Sequence, residues 1–429
     1  MRQSRKLVAA LTAAATAVVV GVFGARAALD AAQQQPVQAP LFEVDMLWPK
    51  PMPNHWLLGS AVGLAVDSRD HVFVVHLGPS SFNLRTEIGG YSGSTAASEC
   101  CAPAPQVLEY NPAGDLVGHW GGPGEGYAWP SSNHGLAIDA AGNIWIGGSG
   151  GRDSHILKFA RDGRFIAQIG TAAPPAPPAA AAAADTAYQG VSRGGAGRGG
   201  RGRGGAPQGP PPLAPNSLST ASFGGPADVS FDASADEAYV ADGYRNRRVA
   251  VIDMRTGAIK RFWGAFGARP VDTGPTGTTQ FGTPVTCAEL SRDGFVYVCD
   301  RSNNRIQVFS KNGQFVGERV IAPATKGQGS VWDIAFSRDA EQRYLYVADG
   351  TNSKVRVLDR RSLVELTTFG EGGRQPGQFY GLHSIATDSR GNVYTVETYQ
   401  GKRLQKFSFK GVGSVSTRTT GTVWPGRER

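Results

Sequence analysis

Short runs of apolar and alternating residues, each closed by a turn cluster, fill most of the chain. The stretch from Phe295 to Val320 sets the pattern. Phe295 to Cys299 is rich in β-branched and aromatic residues, and Asp300 to Asn304 is a polar turn. Arg305 to Phe309 alternates, Lys311-Asn312-Gly313 turns the chain, and Gln314 to Val320 is a third strand. These strands predict an antiparallel meander with no helix, a unit that cannot bury both faces alone. Six copies of a four-stranded pattern answer that need. They begin at Val62, His134, Ala227, Thr286, Trp332 and His383. Four-stranded units repeating in this way predict an all-β fold, a six-bladed β-propeller. The sixth copy fades after Phe409, while Leu41 to Trp48 alternates as a lone strand ahead of the first copy. The expectation is a ring closed by this N-terminal strand, with the propeller spanning 41–410 and a tail at 411–429.

Two segments break the period. Leu77 to Pro105 extends the turn after the second strand of blade 1. Thr171 to Ser222 separates blades 2 and 3 and holds an Ala/Pro tract followed by an Arg/Gly-rich tract. Its composition predicts a disordered insertion over 171–222. At the N-terminus, Arg2, Arg5 and Lys6 precede an apolar run from Leu7 to Phe23, and Ala25-Arg26-Ala27 offers small residues for cleavage. This predicts a signal peptide over 1–27, then a linker over 28–40; an uncleaved membrane anchor is the alternative. Cleavage leaves no membrane span, and the mature chain is expected to be exported, periplasmic or extracellular.

Charge narrows the partners. The formal net charge is +8, but four cations and no acid leave with the leader, so the remainder carries +4. That is too mild to argue for nucleic acid, and export argues against it further. Four cysteines are present, and Cys287 and Cys299 flank one hairpin and could bridge across it. Cys100 and Cys101 are adjacent, and their partners stay open.

Strand direction alternates within a blade, so blade-to-blade connections and the turns after second strands share one face. His134 and His383 occupy one register just before their first strands and should point at the central axis. Other blades place Val62, Ala227 and Trp332 there, so the fold does not require histidine at that register. His76, Asp242, Asp300, Asp349 and Glu397 end second strands on the same side, with Tyr244, Arg301 and Tyr399 close behind. The recurrent Asp reads as a turn former, and Arg248, Arg305 and Lys354 one turn later as structural partners.

The repeat resembles the NHL type, and the chain is similar to the six-bladed propeller of peptidyl-α-hydroxyglycine α-amidating lyase and its bacterial relatives. The resemblance rests on His134 in Asn-His-Gly-Leu, His383 in Leu-His-Ser-Ile, Tyr244 in Asp-Gly-Tyr-Arg-Asn and Arg301 in Cys-Asp-Arg-Ser-Asn-Asn-Arg. It implies zinc held by His134 and His383, catalytic roles for Tyr244 and Arg301, and a structural calcium in the channel. Two positions depart: Thr286 stands where a third histidine ligand is implied, and Leu77 where a second arginine is. His76 or Glu289 could replace the lost ligand. The expected function is binding of a peptide or small carboxylate at the channel mouth through a lyase-like but incomplete site. A zinc-dependent lyase is one alternative; a scaffold capturing another exported protein is the other. The chain is expected to act as a monomer.

Overall fold

In the computed structural model, residues 37–83, 87–88, 99–172, 211–274, 277 and 279–415 are described. The leader over 1–27, most of the linker, the insertion core over 173–210 and the end of the tail lie outside them. Six four-stranded antiparallel sheets follow in sequence. Blade 1 takes Ala61–Val66, Val72–His76, Val107–Tyr110 and Leu116–Trp120. Blade 2 takes Asn133–Ile138, Ile144–Gly148, Ile156–Phe159 and Phe165–Ile169. Blade 3 takes Pro226–Asp232, Glu237–Asp242, Arg248–Asp253 and Ile259–Trp263. Blade 4 takes Val285–Leu290, Phe295–Asp300, Arg305–Ser310 and Phe315–Val320. Blade 5 takes Asp333–Phe336, Tyr344–Asp349, Lys354–Asp359 and Glu365–Phe369.

Blade 6 takes Leu382–Thr387, Val393–Glu397 and Leu404–Val415, and Val37–Asp45 supplies its outer strand. The register pairs Val44 with Phe407 and Phe42 with Phe409. The closing strand starts at Val37, inside the stretch read as linker, and its partner runs to Val415, past the expected end at 410. Pro40 sits at a register shift in this pairing, where a strand tolerates its missing N–H.

First strands of successive blades pack side by side around the full ring, blade 6 against blade 1 included. Burial grades outward from there. The second strands of blades 1, 2, 3, 5 and 6 are buried at every position, whereas Phe315–Val320 at the edge of blade 4 is almost wholly exposed. Apolar side chains of adjacent sheets interlock between blades. Phe42 of the closing strand packs on Tyr346 and Phe369 of blade 5, with ring centroids 5.6 and 5.1 Å away. Burying one such ring contributes about 2 kcal/mol, so the seal is a packed interface as well as a ladder of hydrogen bonds.

The Cys287–Cys299 disulfide joins the first two strands of blade 4, and Cys100 is bonded to Cys101. The end of the insertion is also ordered, which corrects the expectation of disorder over its whole length. Ser217 is fully buried, and the carbonyls of Ser217, Ser219 and Ser222 all accept from the Arg248 guanidinium. Among the described residues no helix is long and apolar enough to cross a membrane.

Candidate functional site

Each first strand of blades 1, 2, 3, 4 and 6 breaks its pairing with the second strand near its start. The shifts fall between Ala61 and Gly63, His134 and Leu136, Pro226 and Asp228, Val285 and Ala288, and Leu382 and Ser384. Such bulges re-aim a side chain, and here they turn the shared register toward the axis. In blade 2 the device needs Gly135, whose φ is +63° and whose added Cβ would stand 2.1 Å from the Ala227 carbonyl oxygen. Val62, His134, Ala227, Thr286, Trp332 and His383 therefore line one small cavity of about 20 Å³.

His134 and His383 meet in that cavity. Their Nε2 atoms are 3.1 Å apart, and the Tyr244 hydroxyl lies 2.7 Å from His134 Nε2. His134 Nδ1 is 2.9 Å from the Ala227 carbonyl oxygen, which can only accept. That fixes the proton on Nδ1 and leaves the Nε2 lone pair to accept from the Tyr244 hydroxyl. His383 Nδ1 is 2.9 Å from Ser384 Oγ. Both rings stay neutral at neutral pH. Burial pulls His134 down to about 4, the Ala227 carbonyl opposes this, and the charge of Arg301 adds to it. Burial, His134 and Arg301 hold His383 well below its ordinary value. Burial raises the Tyr244 phenol, with Arg301 opposing, so it too is neutral.

Arg301 brings a cation to this mouth. It is buried, and its guanidinium stacks over the Trp332 ring, 4.5 Å from the centroid. One Nη donates to Gln328 Oε1 at 3.2 Å, and the Tyr399 hydroxyl bonds the same oxygen at 3.0 Å. Its Nε finds no hydrogen-bond partner among the described residues.

Several sequence candidates lie elsewhere. His76 is no substitute ligand: its Nδ1 accepts from the Gly59 and Gly78 N–H groups at 3.2 and 3.0 Å, and its Nε2 bonds the Pro105 carbonyl at 2.9 Å. Glu289 lines the lower channel instead of the histidine cavity. Leu77 is buried among the apolar residues between blades 1 and 2. Thr286 does reach the histidine cavity, but its hydroxyl donates to the Val331 carbonyl at 3.4 Å. Asp242, Asp300, Asp349 and Glu397 bind Arg248, Arg305, Arg356 and Arg403 through Nε, each at 2.7 Å. The blade 5 partner is thus Arg356, not Lys354, because residues two apart share a face. Gln328 was missed. Its signal was the Gly327-Gln328-Gly329 setting: Gly329 sits at φ +80°, where a Cβ would come 1.8 Å from the Arg301 carbonyl oxygen.

Among the described residues, no group of three or more His, Cys, Asp or Glu is placed to hold a metal ion. The described ends of both insertions flank the site face. Ser60 Oγ, beside the first, donates to the Tyr399 carbonyl at 2.7 Å, and Leu213 N, in the second, donates to the Gly151 carbonyl at 2.8 Å.

The NHL repeat family model matches residues 290–309, the hairpin of blade 4 that carries Arg301. No curated protein matches the chain in sequence. Among solved structures, a streptogramin B lyase aligns over 88% of this chain and 98% of its own, at 10% identity and a TM-score of 0.45. A Bacteroides thetaiotaomicron protein of unknown function aligns over 87% and 77%, at 12% identity and 0.47. A catalytically inactive Staphylococcus aureus virginiamycin B lyase with quinupristin aligns over 91% and 94%, at 12% identity and 0.42. No residue role is carried from them to this chain.

Proposed function

We propose that this NHL-repeat propeller binds a small carboxylate, or the C-terminal carboxylate of a peptide, at the mouth formed by His134, His383, Tyr244 and Arg301. The observation that carries the reading is Arg301, a buried cation with no carboxylate partner among the described residues and an unsatisfied Nε. A buried charge without a counterion costs several kcal/mol, and stacking on Trp332 returns about 1–2. A ligand carboxylate would supply the missing acceptor. Tyr244 and the two imidazoles, all neutral, would then meet the polar group next to that carboxylate.

A second reading, a zinc-dependent lyase of the amidating-lyase type, is favoured by one distance. Two nitrogens on a tetrahedral zinc ion stand about 3.3 Å apart, and the two Nε2 atoms are separated by 3.1 Å. The Ala227 carbonyl and the Ser384 hydroxyl would orient the rings as outer partners of such a pair. Zinc there would polarise a substrate hydroxyl. Tyr244, protonated at rest, would hold or pass the proton at its Oη, and Arg301 would fix the carboxylate. The donor set is short by one, since the Thr286 hydroxyl is a poor zinc ligand.

The export expected from the Leu7–Phe23 run agrees with an oxidised Cys287–Cys299 pair. Capture of another exported protein by the loops on the site face would be a separate role.

One experiment separates the two main readings. Matched peptides ending in glycine or hydroxyglycine are titrated into the full chain with and without zinc, alongside Arg301→Ala, His134→Ala and His383→Ala. Metal-independent binding that Arg301→Ala abolishes is the expected result. Glyoxylate release that needs zinc and both histidines would shift the assignment to the lyase. No binding of either peptide overturns both.

A further inference from the structure

The channel has a second mouth. A cavity of about 420 Å³, lined by first strands of all six blades, leads away from the histidine end. It shares Val66, Ile138 and Arg338 with an outer cavity of about 630 Å³ among the turns that join first to second strands. That outer volume suits a small molecule. Asp228 and Asp333 line both the histidine cavity and the 420 Å³ one, so the two mouths belong to one channel.

Four arginines line the outer cavity: Arg69, Arg161, Arg292 and Arg338. Two have carboxylates. Arg161 bonds Asp67 and Glu109, and Arg69 lies 3.5 Å from Asp67. The other two are held by neutral oxygens. Arg338 donates from Nε and Nη2 to the Thr387 carbonyl at 3.2 and 2.7 Å, which bridges blades 5 and 6. Arg292 donates from Nη1 to the Asp339 carbonyl at 3.0 Å, which bridges blades 4 and 5. Neither forms an ion pair among the described residues. Withdrawal from water, and then the like charge of Arg292, hold Arg338 below its ordinary pKa, with the charges of Asp388, Asp70 and Glu289 opposing from a distance.

The acids on this wall are engaged. Beyond the arginines on Asp67, Asp139 takes Lys158 at 3.1 Å and Trp145 Nε1 at 3.0 Å. Asp70 takes the Ser389 N–H and hydroxyl at 2.8 and 2.7 Å. On the channel floor, burial raises the carboxyls of Asp228, Glu289 and Asp333. Two fixed guanidiniums that repel each other, and that keep unused donors beside an open cavity, form a fork suited to oxyanions.

We propose that the funnel between Arg292 and Arg338 binds a small molecule bearing carboxylate or phosphate groups, at a site separate from the His134 mouth. It stands whether or not the His134 end binds a carboxylate. The test is calorimetric titration of the full chain with citrate and, separately, with inorganic phosphate. The variants are Arg292→Glu, Arg338→Ala and, as a control at the other mouth, Arg301→Ala. The expected result is binding of at least one probe, weakened about tenfold or more by Arg292→Glu and by Arg338→Ala, on the scale of one charge-assisted contact. Arg301→Ala should leave it unchanged. Which probe binds separates carboxylate from phosphate. Arg292 is exposed and held by a single carbonyl, so Arg292→Glu decides the matter even if Arg338→Ala fails to fold. Binding of neither probe, binding indifferent to Arg292→Glu, or binding lost only in Arg301→Ala overturns the proposal.

Discussion

Arg301 and Arg305 are four residues apart in blade 4, both buried, and they live in opposite surroundings. Arg305 belongs to a collar that recurs from blade 3 to blade 6, an arginine locked by Nε to the acid that ends the second strand. In blade 4 that acid also accepts from the Gly282 N–H at 2.8 Å and from Asn303, so the ion pair has its remaining valences filled. Arg301 has a stacked ring, one amide oxygen, a hydrogen bond with the Tyr244 side chain and an idle Nε. One arginine is therefore spent on the fold, and the other is held ready at a mouth. Completeness of hydrogen bonding, more than burial or charge, separates the two roles.

The sharpest way to break this contrast is stability. Removing one partner of a buried, fully bonded pair strands the other, at a cost of about 3–5 kcal/mol. Arg248→Ala and Arg305→Ala should show that loss in urea unfolding. Arg301→Ala should show no loss, because burying its unpaired charge costs more than the stacking on Trp332 returns. Equal losses would place Arg301 in the collar and remove the case for a site.

Acid tests the mouth from the other side. An unfolded histidine takes a proton near 6.5, and folded His134 only at about 4. The neutral buried ring therefore contributes stability that is fully present above pH 6.5 and is lost as pH falls toward 4. The loss is about 3 kcal/mol for His134, at 1.36 kcal/mol per pKa unit. His76 follows the same course for the same cause. Urea midpoints compared at pH 7.5 and 4.5 should fall less in His134→Gln than in the parent chain. An unchanged drop would mean that His134 is already protonated or not buried.

The smallest effect concerns shape. Arg301→Lys keeps the charge and loses the planar fork, and should weaken binding of a peptide carboxylate about tenfold, or 1.4 kcal/mol, in calorimetry. Full retention would mean that the mouth reads charge alone.

The blades were legible because each repeats one alternation of apolar and turn residues, and because burial forces that alternation. His134 and His383 stood out because nothing in the fold asks for histidine at a register that also accepts Val62 and Ala227. What stayed hidden depends on backbone oxygens, which leave no trace in side-chain patterns. The order at Ser217, Ser219 and Ser222 comes from carbonyls that clasp Arg248. His76 is tied by two amides and a carbonyl. The arginine of the second mouth likewise rests on the Thr387 carbonyl. The start of the closing strand lies in an Ala/Gln/Pro stretch that lacks the alternation of a strand, and Pro40 within it sits at a register shift.

The closing strand also sets an order of events in time. Val37 pairs with Val415, the first and last of the described residues. As a ribosome delivers the chain from its N-terminus, the first five sheets can each form from neighbouring residues. The sixth waits for its last strand, and Val37–Asp45 must stay unpaired until then. A chain cut short before Leu404 would leave Val393–Glu397 and Val37–Asp45 without the strand that pairs with both. Sealing of the ring therefore waits on Leu404–Val415, the strand that Val37–Asp45 pairs with.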